Sequence, residues 1–362
     1  MKIRNLLFAV AAAVSIAACG GENVSRSELE TVGRKVANAL VDRRLYDYKK
    51  SYIHYAVVTY WVNALEFARL TGDRALEKRL VDAFRAISPD RWKDWRHVDL
   101  AVQGALFLEV AILTGDEEAK KRGLEYADTQ WAEPREDEPM SPFKNVGNQP
   151  FPARLEWYRA GYSPETRLWI DDMYMITLLQ TQAYRATGDG KYLARAAKEM
   201  TKYLEVLPRP DGLFNHSATA PFAWGRGNGW MAAAMTMLLE YREKLPAGER
   251  AAIERSHAAM MSALRRWQRE DGLWGQLVDD PESWDETSCS AMFGYALGDE
   301  SAFRALAALI GDDGLIPEVC VGTGATDSRD FYLKRPRAKG DAHGQAPVLW
   351  LVNSLLRRAD TI

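Results

Sequence analysis

A short turn recurs along this chain, and it limits the possible folds more than any other feature. Leu70-Thr71-Gly72-Asp73, Leu113-Thr114-Gly115-Asp116 and Ala186-Thr187-Gly188-Asp189 each close an apolar helical run, and Leu297-Gly298-Asp299 is a fainter copy. Glycine just past a helix supplies a left-handed cap, and aspartate caps the next helix. A more amphipathic segment follows the three full copies, at 75–87, 117–131 and 191–207. The unit is therefore an inner helix, a tight turn and an outer helix. A second repeat marks the way back: Asp-Gly-Leu-Phe at 211–214, Asp-Gly-Leu-Trp at 271–274 and Asp-Gly-Leu-Ile at 313–316. Asp-Gly is turn chemistry, and the apolar pair tucks the loop inward. Strand signals are weak. Trp230 to Leu239 is nearly apolar all round, as a buried helix requires. Six hairpins over the chain would use about 56 residues each, enough for two helices and their loops. The expected fold is all-α, an (α/α)6 barrel or toroid of helical hairpins. An open superhelix is the alternative.

The N-terminus is separate. Lys2 and Arg4 precede an apolar run from Leu6 to Ala18, and Ile16-Ala17-Ala18-Cys19 follows as a lipoprotein cleavage box. Residues 1–19 read as a signal peptide whose Cys19 carries a lipid, residues 20–30 as a tether, and 31–362 as one domain. The protein is expected to be exported and held to a bacterial membrane through that lipid alone. Cys289 and Cys320 remain, and their pairing is open. Lysines and arginines are scattered among the acids, with a net charge of −3. No basic stripe suggests nucleic acid. No zinc or calcium spacing, phosphate loop or dinucleotide fingerprint is present, so no metal or cofactor is expected.

In a toroid the inner helices run the same way, and their starts gather at one mouth. Asp99 lies 15 residues before Thr114, and Asp171 lies 16 before Thr187. At 1.5 Å per residue both sit about 22–24 Å from the repeated turn, at one height. Asp172, about 100° further round the helix, reads as a cap or structural partner. A second cluster joins His216 to Trp224-Gly225-Arg226-Gly227-Asn228-Gly229-Trp230. Its three glycines are read as freeing the backbone to turn. Trp224 and Trp230 bracket Arg226, and Trp169 adds another flat surface. Aromatic faces stack on sugars and arginine grips carboxylates in two-pronged fashion, so the set suits an acidic sugar. Glu286, in an acidic loop before Ala291-Met292-Phe293, is a weaker candidate. Asp341-Ala342-His343-Gly344 reads as loop chemistry.

These segments resemble the motifs of glycoside hydrolase families 88 and 105, family 105 more closely. Trp169-Ile170-Asp171 with Met175, Asp-Gly-Leu-Phe-Asn-His at 211–216, Trp-Gly-Arg-Gly-Asn-Gly-Trp at 224–230, and Asp-Gly-Leu-Trp at 271–274 with Glu-Thr-Ser at 286–288 follow in the family order. The resemblance implies the same barrel. It also implies removal of a terminal 4,5-unsaturated uronic acid from lyase-generated oligosaccharides. By resemblance, Asp171 protonates carbon 4 of the enol ether and then takes a proton from water adding at carbon 5; the hemiketal opens and releases the next sugar. Asp99 would hold Asp171 in its working state, its like charge raising the Asp171 pKa. Trp169, His216, Trp224, Arg226 and Trp230 would bind substrate. Family members carry a Trp-x-Asn pair near the start of the first inner helix. Here Trp61 and Asn63 lie about a turn and a half too deep, and His54 and Tyr55 stand at the matching height. Two other readings stay open: a toroid polysaccharide lyase or ordinary glycosidase, and a lipid-anchored glycan-binding protein.

Overall fold

The computed structural model describes residues 23–138 and 149–359, and the expected signal peptide and Cys19 lie outside them. Fifteen α-helices follow one another among the described residues: α1 (Arg26–Asp42), α2 (Tyr55–Thr71), α3 (Arg74–Arg85), α4 (Val98–Ala101), α5 (Gln103–Thr114), α6 (Glu117–Thr129), α7 (Phe151–Arg159), α8 (Asp172–Thr187), α9 (Lys191–Val206), α10 (Gly225–Leu239), α11 (Ala247–Trp267), α12 (Thr287–Leu297), α13 (Glu300–Leu309), α14 (Arg329–Leu333) and α15 (Ala342–Ala359). Helices α2, α5, α8, α10, α12 and α15 form a ring in which each packs on the next and α15 returns to α2. That last contact makes a closed (α/α)6 barrel and excludes the open superhelix. Helices α1, α3, α6, α9, α11 and α13 back the ring from outside. One short antiparallel ribbon, β1 (Val319–Cys320) with β2 (Arg337–Ala338), lies between α13 and α15.

Side-chain periodicity explains which helix goes where. In α8 every residue from Asp172 to Ala183 is buried, whereas α3 buries only Leu76, Leu80, Val81 and Phe84, one stripe of an amphipathic helix. The repeated turns behave as their residues require. Gly72, Gly115, Gly188 and Gly298 end inner helices at φ of 63° to 73°, and Asp73, Asp116 and Asp299 cap the outer helices that follow. Asp211, Asp271 and Asp313 each accept a hydrogen bond from the backbone N–H two residues on, closing the return turns.

Two expectations are corrected. The domain starts before residue 31. Ser25 and Glu28 form a capping box that begins α1 at Arg26, and Leu29 is buried in the core, so 26–30 belong to the barrel rather than a tether. The glycines at 225, 227 and 229 do not serve a turn. They lie in the first helical turns of α10, and a Cβ there would come within 2.8 Å of Cys289 Sγ, 2.6 Å of Ile170 and 2.4 Å of Met292 Sδ respectively. Their absent side chains let α10 seat against α12 and the segment leading into α8.

The bore is filled. Tyr174 stacks on Trp350 at 4.4 Å between ring centres, and Trp230 packs on both at 4.9 and 5.4 Å. Beyond this plug, at the hairpin-turn end, lies a cavity of about 230 Å³ lined by Glu66, Arg69, Arg185, Glu240 and Arg357, among others. Ion pairs join Arg357 to Glu66 and Arg185 to Glu109 there, and none of the sequence-predicted site residues except the excluded Asn63 reaches it.

Candidate active site

The other mouth gathers the starts of the inner helices, and Asp171 stands there at the entry to α8. Its side chain makes no capping bond, although this is the N-cap position. Oxygen Oδ2 is buried with no hydrogen-bond partner, 3.6 Å from His216 Nε2, which is equally unpartnered. An uncommitted carboxylate oxygen at a helix start is available for chemistry, because capping would have consumed it.

Asp172, one residue on, is wholly committed. It accepts from Arg167 Nε at 3.0 Å and from the Tyr203 hydroxyl at 2.8 Å, with no exposed surface. Tyr203 in turn accepts from Leu168 N at 3.2 Å. Arg167 also donates to Asp99 Oδ1 at 3.4 Å, so one guanidinium ties the two mouth segments together. Asp99 sits in the first turn of α4, beside the His97 cap. Asp172 thus holds the role of structural partner expected for it. Leu168 adopts φ of 56°, a left-handed conformation that costs a leucine about 1 kcal/mol or more. The kink is held by the bridge of Trp169 to Ser217 and by Ile170 N donating to His216 O at 3.1 Å.

The glycine-rich motif supports the same pocket. Asn228 clamps the Phe214 peptide from both sides, accepting from its N–H at 2.9 Å and donating to its carbonyl at 3.0 Å, which fixes the loop carrying His216. Trp224 packs on His216 at 4.4 Å, and Trp169 meets it edge-on at 5.2 Å. Burial lowers the His216 pKa, partly offset by Asp171. Its Nδ1 lies 2.7 Å from the Tyr332 hydroxyl. Arg226 lies over Trp224 at 4.8 Å and donates to Cys320 O at 2.6 Å and Val321 O at 3.0 Å. Its Nε is buried without a partner. His216, Trp224, Arg226 and Trp230 are at most 1% exposed, whereas Asp171 and Asp99 keep 13% and 16% of their side chains open. Asp171, Asp99, Trp169 and Tyr55 are thus the partly exposed members of this group, and Trp230 lies buried against Tyr55.

Glu286 is not part of the open pocket. It is fully buried, caps α12 through Ser288 and Cys289, and accepts from Cys320 N. Trp61 and Asn63 lie in the barrel wall, bonded to Leu80 O and Thr59 O. Sequence reasoning missed Arg167, Tyr203 and Tyr332, which carry no local motif and are brought in by the fold. Cys289 and Cys320 are both buried free thiols, which settles their pairing.

The architecture and the site together define a carbohydrate-active (α/α)6 barrel with an open carboxylate at an aromatic, arginine-backed mouth. The chain belongs to glycosyl hydrolase family 88, whose model matches residues 30–359. It is 27% identical over 215 residues to the unsaturated rhamnogalacturonyl hydrolase YesR of Bacillus subtilis, covering 55% of this chain and 62% of that protein. It is 32% identical over 129 residues to an unsaturated 3S-rhamnoglycuronyl hydrolase of an Alteromonas species, covering 32% and 30%. The chain thus spans less than two thirds of the length of these relatives. A crystal structure of a possible family 105 member from Salmonella enterica superposes with a TM-score of 0.74 at 21% identity, covering 93% of this chain and 96% of the other.

Proposed function

We propose that the protein is an exported, lipid-anchored hydrolase that removes a terminal 4,5-unsaturated uronic acid from lyase-generated oligosaccharides. The observation that carries this reading is the uncommitted Asp171 oxygen facing His216 on a family 88 scaffold. Asp171 protonates carbon 4 of the enol ether and then takes a proton from the water that adds at carbon 5. The hemiketal opens and frees the neighbouring sugar. The Tyr332 hydroxyl at Nδ1 fixes the His216 ring, whose Nε2 faces Asp171 at 3.6 Å beside the reacting carboxylate. Trp169 offers the sugar a flat face, and Arg226 supplies positive charge behind the pocket. Asp99 is a positioning residue, joined to the Asp171 segment through Arg167. The names of the curated relatives favour a substrate of the rhamnose–uronate type over other uronates. The Cys19 lipid would place the enzyme where such fragments arrive.

The test is the ultraviolet absorbance of the unsaturated uronate, followed on lyase digests of several polyuronides. Loss of absorbance with wild type and not with Asp171→Asn supports the reading. Absorbance that rises on intact polymer would mark a lyase. A folded wild type that changes none of the digests would overturn the hydrolase.

A further inference from the structure

The Asp341-Ala342-His343 segment, which the hydration mechanism leaves unused, converges on the same mouth. His343 Nδ1 lies 2.6 Å from Asp341 Oδ1, and its Nε2 lies 2.8 Å from the hydroxyl of Tyr55. Asp341 also accepts from the His343 backbone N–H at 3.0 Å and from Tyr48 at 3.2 Å. Asp341 and His343 are buried at 6% and 1% exposure, whereas Tyr55 is half-buried at the start of α2. Tyr55 meets Trp230 edge-on at 6.3 Å between ring centres, which places it at this mouth.

We propose that Asp341 and His343 are positioning residues that fix the proton of Tyr55, so that its phenolic oxygen presents only lone pairs to the pocket and accepts a hydrogen bond from a hydroxyl of the bound sugar. The argument is one of proton accounting. An ionised carboxylate only accepts, so the 2.6 Å contact puts the imidazole proton on Nδ1. In a neutral ring Nε2 is then an acceptor, and the phenol must donate to it. Asp341 accepts from the His343 backbone N–H and from Tyr48 besides facing the imidazole, so its carboxylate is committed as an acceptor. Burial and the two pocket carboxylates hold the Tyr55 hydroxyl well above its ordinary value, so it stays protonated. With its single proton committed, the Tyr55 oxygen can only accept on its open side. Arg226 and the indole and guanidinium N–H groups around the pocket are donors, and Asp99 and Asp171 carry charge. Tyr55 thus supplies a neutral acceptor, which suits a sugar hydroxyl without adding to the negative charge that faces an acidic sugar.

The sugar part of this inference rests on the proposed function, and the proton relay does not, so the test has two arms. In protein labelled with ¹⁵N-histidine, the His343 signals are identified by their loss in His343→Gln. A neutral ring with the proton on Nδ1 is expected at neutral pH. An Nε2–H tautomer or a doubly protonated ring would overturn the relay whatever the substrate. In the second arm, Tyr55→Phe is expected to raise KM about tenfold, the loss of one hydrogen bond, with kcat within about twofold. His343→Ala should raise KM similarly and add nothing in the Tyr55→Phe background. His343→Gln, which keeps an acceptor towards Tyr55, should recover most of the KM. Additive losses in the double variant, or a fall in kcat with KM unchanged, would overturn the inference. A wild type with no hydrolytic activity would remove the sugar hydroxyl as the partner, while the nuclear-resonance result still decides the relay.

Discussion

Asp172→Asn keeps the shape of a side chain and deletes one charge from beneath the pocket. Arg167 and Asp172 are 5% and 0% exposed, so neither charge is screened by water. Burial pushes the Asp172 carboxyl up against the pull of Arg167 and Tyr203, whereas Arg167 is held even more firmly protonated by its carboxylates. The guanidinium cannot discharge itself, so the cost of the substitution falls on it. Breaking a buried pair costs about 3–5 kcal/mol. Asp99 still faces Arg167 at 3.4 Å, which argues for the lower end, about 3 kcal/mol. For a chain of this size that is a fall of roughly 4 °C in Tm. Urea unfolding followed by tryptophan fluorescence measures it directly. The kink at Leu168 depends on the same group through Tyr203, so kcat/KM should fall as well, even though Asp172 touches no substrate. A loss below about 1 kcal/mol, typical of an exposed pair, would refute the account of Arg167 as a buried charge that two carboxylates must balance.

Other outcomes follow from the same structure. Burial raises both Glu165 and Glu199 to about 7, so the folded state binds more protons than the unfolded one between about pH 4.5 and 7. Stability should therefore fall as pH rises through that window, and Glu165→Gln, which still accepts from Gln130, should remove about 3 kcal/mol of the decline in pH-dependent urea melts. Cys289 and Cys320 should not react with a thiol reagent in the native chain and should titrate as two thiols after denaturation; a native disulfide would show none. Arg226→Lys keeps the charge but loses the fork on the carbonyls of Cys320 and Val321, and should lower kcat/KM at least tenfold in steady-state assays. Asp171→Asn should abolish turnover while leaving the melting curve near wild type, because that side chain bonds to nothing that holds the fold.

The barrel was legible because its signals are local. A glycine forced into the left-handed region, an aspartate that caps, and a fully apolar inner helix act over a few residues, so Gly72, Asp73 and α10 could be read directly. Counting back from the repeated turn put Asp99 and Asp171 at helix starts, although Asp99 lies in the short α4, set off from α5 by Val102. The reading erred where one local pattern serves two purposes. The Gly225, Gly227 and Gly229 spacing fits a turn as well as a helix start, and only the approach of Cys289, Ile170 and Met292 shows that close packing selected it. Ser25 and Glu28 do form a local cap, but a tether reading of the residues after the lipobox overlooked it.

What the tertiary structure decided is which carboxylate remains free. Asp171 and Asp172 are neighbours of identical chemistry, and nothing in the sequence assigns one to Arg167 and Tyr203 and leaves the other open beside His216. That choice depends on Tyr203, 31 residues from Asp172, on Asp99, 68 residues from Arg167, and on Tyr332, 116 residues from His216. The same holds for Tyr55 and His343, which stand 288 residues apart and meet only because α15 closes the ring against α2. Helix starts, stops and burial are set within a turn or two of the chain. The proton positions and free lone pairs that make a site are set by which distant side chains the closed barrel brings within hydrogen-bond reach.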